Sequence, residues 1–449
     1  MTSECTAKKR VIVTGAGAGG MMAAGRAAEV GAYVLLLEKT ERLGNKLLIS
    51  GKTRCNLTNT RELDDFIAMY GTNGRFLYSV FCKFFRDELL SFLKRYRVKI
   101  KIEKDGRIFP ASDDAGDVLT ALSNYMANHS VEVRTSVNVS RIVVANGYVK
   151  GVETKQGLLP CTAVVLSTGG ASFPGTGSTG DGYSMAQAVG HTIIKLRPSL
   201  VPLVIFDTEL AKSMQGISLR QVRLTAYQCR AEEIPPYLIP ESDYGRGTGH
   251  EHPPNPIIES RLGDMMMTHN GISGPVTLQT SLAVVDALEK GPVSVAIDLK
   301  PHLTEKQLHA ILQQEFERHG RRSYRRILME LLSQKMVSPF LTVSGIPPEK
   351  PACQLSTSER KRLVNLLKSF RLNIKKTLPL SAAMVTAGGI SLKEIEPRTM
   401  ASRLIKGLYF CGEVMDIDAD TGGYNITAAF ATGYVAGEHA AAFCSDKTN

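Results

Sequence analysis

Three glycines near the start of the chain have the spacing of a nucleotide-binding turn. Gly15, Gly17 and Gly20 follow an apolar run at 11–13, and a run of small residues suited to a helix comes after them. Such a turn lets bare backbone approach a pyrophosphate, whose charge is favoured by the free N–H groups of the helix N-terminus. Glu38 ends the next apolar run, where a carboxylate accepts hydrogen bonds from the ribose hydroxyls of adenosine. The pattern predicts binding of a dinucleotide.

A second stretch has the same glycine spacing without the same context. Gly175, Gly177 and Gly180 also match GxGxxG, but no strand pattern leads into them. We therefore expect a single Rossmann turn in this sequence, and other features must identify the nucleotide.

Four further glycine-rich or polar segments favour FAD. Residues 43–59 follow Glu38 in place of a second crossover helix, and such a segment can run along an extended cofactor toward its reactive ring. Residues 167–170 offer bare backbone after a strand, and 412–413 end the last strand. Residues 421–425 open the final helix, whose N-terminus would stabilise negative charge on a reduced flavin. No His or Cys attachment motif is recognisable, so we expect the FAD to be bound non-covalently.

The elements that position these segments lie at both ends of the chain. Nucleotide-domain patterns occupy the first 200 residues and the last 70, with β-rich and then helical patterns between them, which predicts an α/β fold whose first domain carries an insert. A length of 449 residues fits two or three domains. We find no apolar run of the roughly 18 residues that a membrane span needs and no signal peptide, and the eight cysteines form no CxxC motif. A cytoplasmic protein is expected.

Seven blocks of the sequence resemble a family of bacterial flavoproteins described as NAD(P)/FAD-dependent or aminoacetone-oxidase-like oxidoreductases. The blocks run from about residue 10 onward and are GAGAGGMMAA, LLLEK, LLISGKTRCNLTN, STGGASFPGTGSTGDGYSMA, THNGISGP, TAGGISLKEIEPRTM and GLYFCGEVMDIDADTGGYNITAAFATGYVAG. The resemblance implies a glutathione-reductase-type (Rossmann-like) FAD-binding domain with an inserted β-rich barrel-like domain and an inserted helical domain. The expected limits are 1–198 and 376–449 for the FAD-binding domain, 199–275 for the β-rich insert, 276–350 for the helical insert and 351–375 for a return segment.

The same resemblance implies individual cofactor-binding residues. They are Gly15, Gly17, Gly20, Glu38, Lys39, Arg54, Cys55, Asn56, Val139, Thr168, Gly169, Asp181, Gly412, Glu413, Gly423, Tyr424 and Asn425. The sequence departs from the family pattern in three places. Gly19 stands where Ala is commoner, Lys52-Thr53 replaces a glycine-rich pair, and Ile426-Thr427 replaces Leu-Gln. The last departure lies beside the expected flavin position and leaves the substrate open.

Two side chains are candidates for the acid that a reduction of a double bond requires. Hydride from flavin N5 adds to one carbon, and a proton must reach the other. Cys55 falls in the segment expected near the ring, although a cysteine that only packs against the cofactor is the simpler interpretation. His269 is the second candidate, and a hydrogen-bonded loop histidine is its simpler interpretation. His250 and His252 have HxH spacing but no evident third ligand, so we expect a surface loop and no metal site.

The charge of the chain bears on its partner. The net charge is +11, while 318–326 and 360–376 together carry twelve Lys and Arg and no acid. Such a concentration favours a polyanion, although a solvated helical face is an equal alternative. The arginines of the first stretch, which we take as candidate RNA-binding residues, are Arg318, Arg321, Arg322, Arg325 and Arg326.

The activities known or proposed for the family include reduction of bile-acid-like enones and dihydrouridine formation in large-subunit ribosomal RNA. We therefore expect a reductase of an activated carbon–carbon double bond, with uridine in ribosomal RNA as the leading substrate because of the basic stretches. A small-molecule enone reductase and an amine oxidase are the alternatives within the same class, and a non-catalytic FAD-binding protein is the alternative outside it. Only one Rossmann turn is expected, so NAD(P)H would bind transiently as the electron donor.

Overall fold

The computed structural model describes residues 10–103, 105–236, 238, 240–249 and 253–446. It divides into two compact units, one made of Met1–Pro198 with Leu380–Asn449 and the other of Ser199–Pro379. His250 and His252 lie outside the described residues. Across the described ranges, no helix has the length and apolarity needed to cross a membrane.

The helices are, in chain order, α1 (Ala18–Glu29), α2 (Asn45–Ile49), α3 (Leu63–Ala68), α4 (Tyr78–Phe81), α5 (Arg86–Arg95), α6 (Ala115–Asn128), α7 (Asp181–Ala188), α8 (Thr208–Ser213), α9 (Pro275–Leu288), α10 (Glu305–Arg318), α11 (Tyr324–Leu331), α12 (Gln334–Ser344), α13 (Thr357–Lys368) and α14 (Tyr424–Asp446). The strands are β1 (Arg10–Thr14), β2 (Tyr33–Leu37), β3 (Thr58–Asn59), β4 (Ile100–Ile102), β5 (Arg107–Pro110), β6 (Glu132–Arg134), β7 (Val139–Ala145), β8 (Tyr148–Thr154), β9 (Gly157–Pro160), β10 (Ala163–Leu166), β11 (Ile193–Ser199), β12 (Leu203–Ile205), β13 (Ser218–Tyr227), β14 (Ile257–Thr268), β15 (Gly271–Ser273), β16 (Val293–Asp298), β17 (Phe370–Thr377), β18 (Val385–Ile390), β19 (Ile395–Glu396), β20 (Ala401–Ser402) and β21 (Leu408–Phe410).

The first unit is built on a seven-stranded sheet with the order β19-β20-β21-β10-β1-β2-β6. Its central strands are parallel, since β1 pairs with β2 and β10, and β10 pairs with β21. These strands are short, continuous apolar runs and are almost wholly buried, as expected for a parallel sheet that is covered on both faces. The structure thus confirms the Rossmann-type α/β fold and brings strands from both ends of the chain into one sheet.

Small residues allow the first and last helices of this unit to pack closely. A Cβ atom added at Gly433 would lie 2.3 Å from Gly19 O, and one added at Gly437 would lie 2.2 Å from Ala23 O. Side chains at these positions of α14 would therefore push it away from α1. The run of small residues after the nucleotide-binding turn has this packing role.

The second unit contains a closed barrel with the strand order β12-β15-β14-β13-β16-β17, which confirms the barrel expected from the resemblance. The barrel extends past the predicted limit of the β-rich insert, because β16 lies inside 276–350 and most of β17 lies inside 351–375. All six residues of β16, whose sequence is VSVAID, are buried, and a short and mostly apolar segment does not distinguish a strand from part of a buried helix. Separation of the insert into β-rich and helical domains remains a prediction.

Candidate functional site

The glycine turn after β1 combines tight packing with open space. A Cβ atom at Gly15 would lie 2.5 Å from Ser167 O, and one at Gly20 would lie 1.9 Å from Gly15 O, so both positions require glycine. Gly17, in contrast, has no other atom within 4 Å of its added Cβ position. It is the N-cap residue of α1 and makes no side-chain capping hydrogen bond. The first N–H groups of α1 are therefore available to an anion.

Glu38 is buried at the end of β2 and is held in place by backbone groups. One carboxylate oxygen accepts a hydrogen bond of 2.7 Å from Ala16 N. The other accepts hydrogen bonds from Thr40 N and Oγ1 at 2.9 and 2.8 Å. Val137 N donates to the main-chain oxygen of Glu38, so the segment that leads into Val139, at the start of β7, runs beside the backbone of Glu38. The structure thus groups the positions predicted to bind adenosine.

Lys39 and Asp181 are brought together, and they bind each other. Lys39 Nζ lies 2.6 Å from an Asp181 carboxylate oxygen and also donates to Thr179 Oγ1. Thr179 Oγ1 in turn donates to the other carboxylate oxygen of Asp181 at 2.7 Å. Burial raises the pKa of Asp181, but the hydrogen bonds from Lys39 and Thr179 outweigh burial and hold this pKa below its ordinary value. The carboxylate is therefore charged at neutral pH.

Lys46 is a site residue that the sequence analysis did not identify. Its Nζ atom contacts Glu413 Oε2 at 2.5 Å and Ser172 Oγ at 2.7 Å. The second oxygen of Glu413 accepts hydrogen bonds from Ser172 Oγ at 3.1 Å and from Thr386 N at 2.9 Å. Lys46 lies inside the glycine-rich and polar segment 43–59, which is the only sequence signal that could have drawn attention to it.

Cys55 is fully buried, in a loop that runs against Ser50. Its backbone N donates to Ser50 O at 3.0 Å, and its φ of 58° lies in the left-handed region. Burial raises the pKa of the thiol to about 12, and a hydrogen bond with Ser50 offsets only part of this effect. The thiol therefore stays protonated at neutral pH and is a weak acid, which favours the packing role.

Arg54, the residue before Cys55, is engaged with other protein groups. Its guanidinium contacts Glu103 at 2.6 Å and Asp113 at 3.4 Å, and it lies 4.1 Å from the centre of the Phe109 ring. These contacts anchor the segment that was predicted to lie near the flavin ring. Assignment of Arg54 as a direct cofactor ligand remains a prediction.

Asn56 and Gly423 join the two ends of the chain. In the amide orientation that satisfies both of its groups, Asn56 accepts a hydrogen bond of 3.0 Å from Gly423 N and donates to Thr58 O at 3.3 Å. Gly423 has a φ of 95°, and its added Cβ would lie 2.6 Å from Thr58 Cα. Thr427, one of the departures from the family pattern, donates to Leu57 O at 3.1 Å and is fully buried. The segment 55–59 therefore packs directly on the start of α14.

Tyr424 and Asn425 have structural contacts on the other side of that helix start. The ring of Tyr424 makes an edge contact with Phe66 at 4.7 Å, and Tyr70 OH donates to Tyr424 O at 2.7 Å. Burial raises the pKa of Tyr424 to about 12. Asn425 accepts from Ala419 N at 2.9 Å and donates to Ala419 O at 2.8 Å, so it fixes the loop before α14. These contacts pack Tyr424 into the first unit, and its role in cofactor binding remains a prediction.

Two threonine hydroxyls near these segments are buried, and neither has a hydrogen-bond partner within the described part of the chain. They belong to Thr58 and Thr168. Gly169, which follows Thr168, has a φ of 72°, while Gly412 has a φ of 72° and donates its N–H to Thr432 Oγ1 at 3.0 Å. Buried hydroxyls normally have partners, so a polar ligand at this site would satisfy them. Together with the open space at Gly17, they make the site fit FAD.

His269 lies in the second unit, in the exposed turn between β14 and β15. Its Nε2 atom is 2.9 Å from the side-chain nitrogen of Asn270, which can donate to it. This contact is what a hydrogen-bonded loop histidine would make, and the role of His269 as an acid remains a prediction.

The five arginines of 318–326 are all exposed on the second unit. Arg322 pairs with Glu330 at 2.6 Å and Arg325 with Glu349 at 3.6 Å.

The longer stretch 360–376 has fewer cations available for binding a partner than its composition indicates. Lys368 is buried in an ion pair with Asp298 at 2.5 Å, and Arg371 donates to the carbonyl oxygens of Ala231 and Ile234. Arg362 donates to Ser344 O at 3.1 Å, so these three of the seven cations in the stretch have structural contacts.

Among the residues that the structure describes, one group of three His and Glu side chains has its ligand atoms within 4.8 Å of one another. It comprises Glu315, His319 and Glu330, beside the basic segment. Arg322 already pairs with Glu330, and the surrounding arginines repel cations. We therefore interpret Glu330 as a counter-ion of Arg322.

Comparison with known proteins agrees with this architecture. The sequence profile of a family described as "HI0933-like protein Rossmann domain" matches residues 9–439, which confirms the resemblance noted above. A 3-dehydro-bile acid delta(4,6)-reductase of Clostridium scindens is 30% identical over 438 residues, which cover 96% of this chain and 99% of the relative. A ribosomal RNA dihydrouridine synthase of Haemophilus influenzae is 28% identical over 431 residues, covering 94% and 96% of the two chains.

A solved structure is similar in fold at lower sequence identity. The quinol fumarate reductase FrdA of Escherichia coli superimposes with a TM-score of 0.50 and 17% identity, over 98% of this chain and 71% of the other. This likeness concerns the fold alone.

Proposed function

The chain belongs to the HI0933-like Rossmann-domain family and is an FAD-dependent oxidoreductase, and on this premise we propose that it reduces an activated carbon–carbon double bond. When bound, FAD supplies the hydride for one carbon of that bond. NAD(P)H is the proposed electron donor, binding transiently. The chain must bind and orient the substrate and deliver a proton to the other carbon.

The proposed substrate is a uridine in large-subunit ribosomal RNA, which becomes dihydrouridine. The observation that carries this choice is the group of five exposed arginines at 318–326, together with the exposed cations of α13. A small substrate with a single charge needs no such surface, whereas a polyanion gains affinity from each phosphate contact through counterion release. A dihydrouridine synthase among the relatives supports the same choice. Because a base must leave its stack to reach an active site, an unpaired uridine is the expected target.

A small-molecule enone is the second candidate. It is favoured by the bile-acid reductase, which aligns over 99% of its own length at a slightly higher identity than the dihydrouridine synthase. Both substrates contain a double bond conjugated to a carbonyl group, so the same hydride and proton delivery serves either one.

The experiment proceeds in two steps with the purified protein. Acid denaturation should release all the flavin as FAD, and NADH or NADPH added under anaerobic conditions should bleach the yellow colour. The reduced enzyme is then given protein-free ribosomal RNA or a steroid enone, and each product is examined by mass spectrometry for addition of two hydrogens.

Addition of two hydrogens to a uridine, with loss of that dihydrouridine from ribosomal RNA when the gene is deleted, is the expected result. Reduction of the enone alone assigns the second candidate. Bleaching by an amine and reoxidation by oxygen would indicate an oxidase. A flavin that no donor reduces would reject the catalytic proposal altogether.

A further inference from the structure

The contacts of Lys39 concern retention of the cofactor. We infer that Lys39, Thr179 and Asp181 form a clasp that holds the loop 172–180 beside the adenosine end of the FAD site and slows the release of FAD. The resemblance assigned Lys39 and Asp181 as separate cofactor ligands. In the structure, Lys39 Nζ lies 2.6 Å from an Asp181 carboxylate oxygen, and the hydroxyl of Thr179 forms hydrogen bonds with both side chains.

The loop that the clasp fastens passes next to Glu38, the predicted ribose ligand. A Cβ atom added at Gly177 would lie 3.0 Å from Thr40 Cγ2 and 3.9 Å from a carboxylate oxygen of Glu38. Gly177 has a φ of 98°, so the loop reaches this position through a conformation that favours glycine. The match of this loop to the GxGxxG spacing thus has a different explanation at Gly177, which allows the loop to lie against the residues that follow β2.

The clasp contains the ion pair between Lys39, the residue after Glu38, and Asp181, the residue that follows this loop. Lys39 and Asp181 are 142 positions apart in sequence, so their contact depends on the folded unit. Asp181 is also the first residue of α7, where its charge is favourable, and the side chains of Lys39 and Asp181 are 25% and 37% exposed. A pair this accessible to water opens readily. We therefore expect the pair to affect the rate at which FAD is released, and we expect its removal to leave the fold unchanged.

A double-mutant cycle separates a clasp from two independent ligands. Lys39→Met, Asp181→Asn and the double variant are loaded with FAD and diluted, and release is followed by the gain in fluorescence of free flavin. Each single substitution should raise the release rate about two- to fivefold, and the double variant should release FAD no faster than the faster single variant. Thr179→Val should give a smaller increase in the same direction. Arg403→Met, which breaks an exposed pair with Glu396, is the matched control and should leave the rate unchanged.

Two results would overturn the clasp. Effects of the two substitutions that multiply in the double variant would make Lys39 and Asp181 separate FAD ligands, and unchanged release in all variants would make the contact irrelevant to retention. A variant that carries both Lys39→Asp and Asp181→Lys exchanges the two charges and should release FAD slowly again. Slow release by this variant would show that the faster release in the single variants does not come from a folding defect. The inference rests on the FAD site of the proposed function, and release of FAD is measured without substrate, so an error in the substrate would leave this test unaffected.

Discussion

Lys46 and Glu413 are 367 positions apart in sequence, yet their charged atoms lie 2.5 Å from each other. Lys46 belongs to α2, which follows the nucleotide-binding strands, and Glu413 lies in the turn after β21. Ser172 Oγ contacts both charged groups, so three distant parts of the first unit meet in one polar cluster. The cluster joins the amino-terminal segment of the proposed FAD site to its carboxy-terminal segment.

Removal of the Lys46 charge should weaken this junction. In Lys46→Met the Glu413 carboxylate keeps Ser172 and Thr386 as donors but loses its cation, so the free energy of unfolding should fall by about 1–3 kcal/mol. Chemical denaturation of the FAD-free protein measures the effect. Glu413→Gln should cost a similar amount, and the double variant should cost less than the two single effects added together. Additive costs would mean that the two residues act separately.

Cys55→Ala tests the packing role of the buried thiol. We expect the variant to retain FAD, to be reduced by NAD(P)H as before and to turn over substrate at a rate close to that of the wild type. The lost sulfur should lower the free energy of unfolding by about 1–2 kcal/mol. A fall in turnover of about 10²–10⁴-fold with normal flavin reduction would instead make Cys55 the proton donor. If turnover is unchanged, the same kinetic measurement on His269→Ala examines the other candidate.

Thr53→Gly should stabilise the first unit. Thr53 has a φ of 70°, a left-handed conformation that is unfavourable for a β-branched residue, and it stands where the family pattern has glycine. Relief of this strain should exceed the extra entropy that glycine gives the unfolded chain, for a net gain of about 0.5–1 kcal/mol by thermal denaturation. Thr53→Ala keeps the Cβ atom and is the control, so an equal gain from alanine would assign the effect to another cause.

His191 should make the stability of the first unit depend on pH. It is buried, with its ring nitrogens 3.2 Å from Glu394 Oε2 and 2.8 Å from Ser402 Oγ. Burial lowers its pKa below the ordinary value of 6.5, and the neighbouring Glu394 offsets only part of this effect. The unfolded state therefore binds a proton first as the pH falls below 6.5, and stability should decrease there. Melting temperatures of the wild type should decline across this range, with a flatter profile in His191→Gln.

The arginines at 318–326 should contribute to RNA affinity in a salt-dependent manner. Binding of ribosomal RNA fragments is measured at several salt concentrations for the wild type and for a variant with all five changed to Gln. The slope of log affinity against log salt should fall by about 0.7 for each phosphate contact that is lost. Lys150→Gln with Lys155→Gln, which removes two exposed cations of the first unit, is the control. Weak binding that salt and the substitutions leave unchanged would favour the enone substrate.

Local patterns in the sequence predicted the framework of the first unit. The strands around the nucleotide-binding turn are unbroken apolar runs next to glycines, and they are recognisable without knowledge of their partners. Such patterns did not reveal β16, because its short and mostly apolar sequence, VSVAID, also fits part of a buried helix. They also missed Lys46 and the pairing of Lys39 with Asp181, because a polar side chain in the sequence does not indicate which distant residue it contacts. The count of cations likewise overestimated the basic surface, since composition does not separate exposed Lys from the buried Lys368.

Packing of α14 on α1 has a consequence for synthesis of the protein. The ribosome makes α1 long before α14, and the whole second unit emerges between them. The barrel can therefore fold during translation, whereas β10 keeps an unpaired edge until β21 arrives. The proposed FAD site includes the start of α14, so we expect FAD to bind chains in which this helix has docked and to stabilise them by mass action. We therefore expect the yield of folded protein to rise with the concentration of FAD present during synthesis.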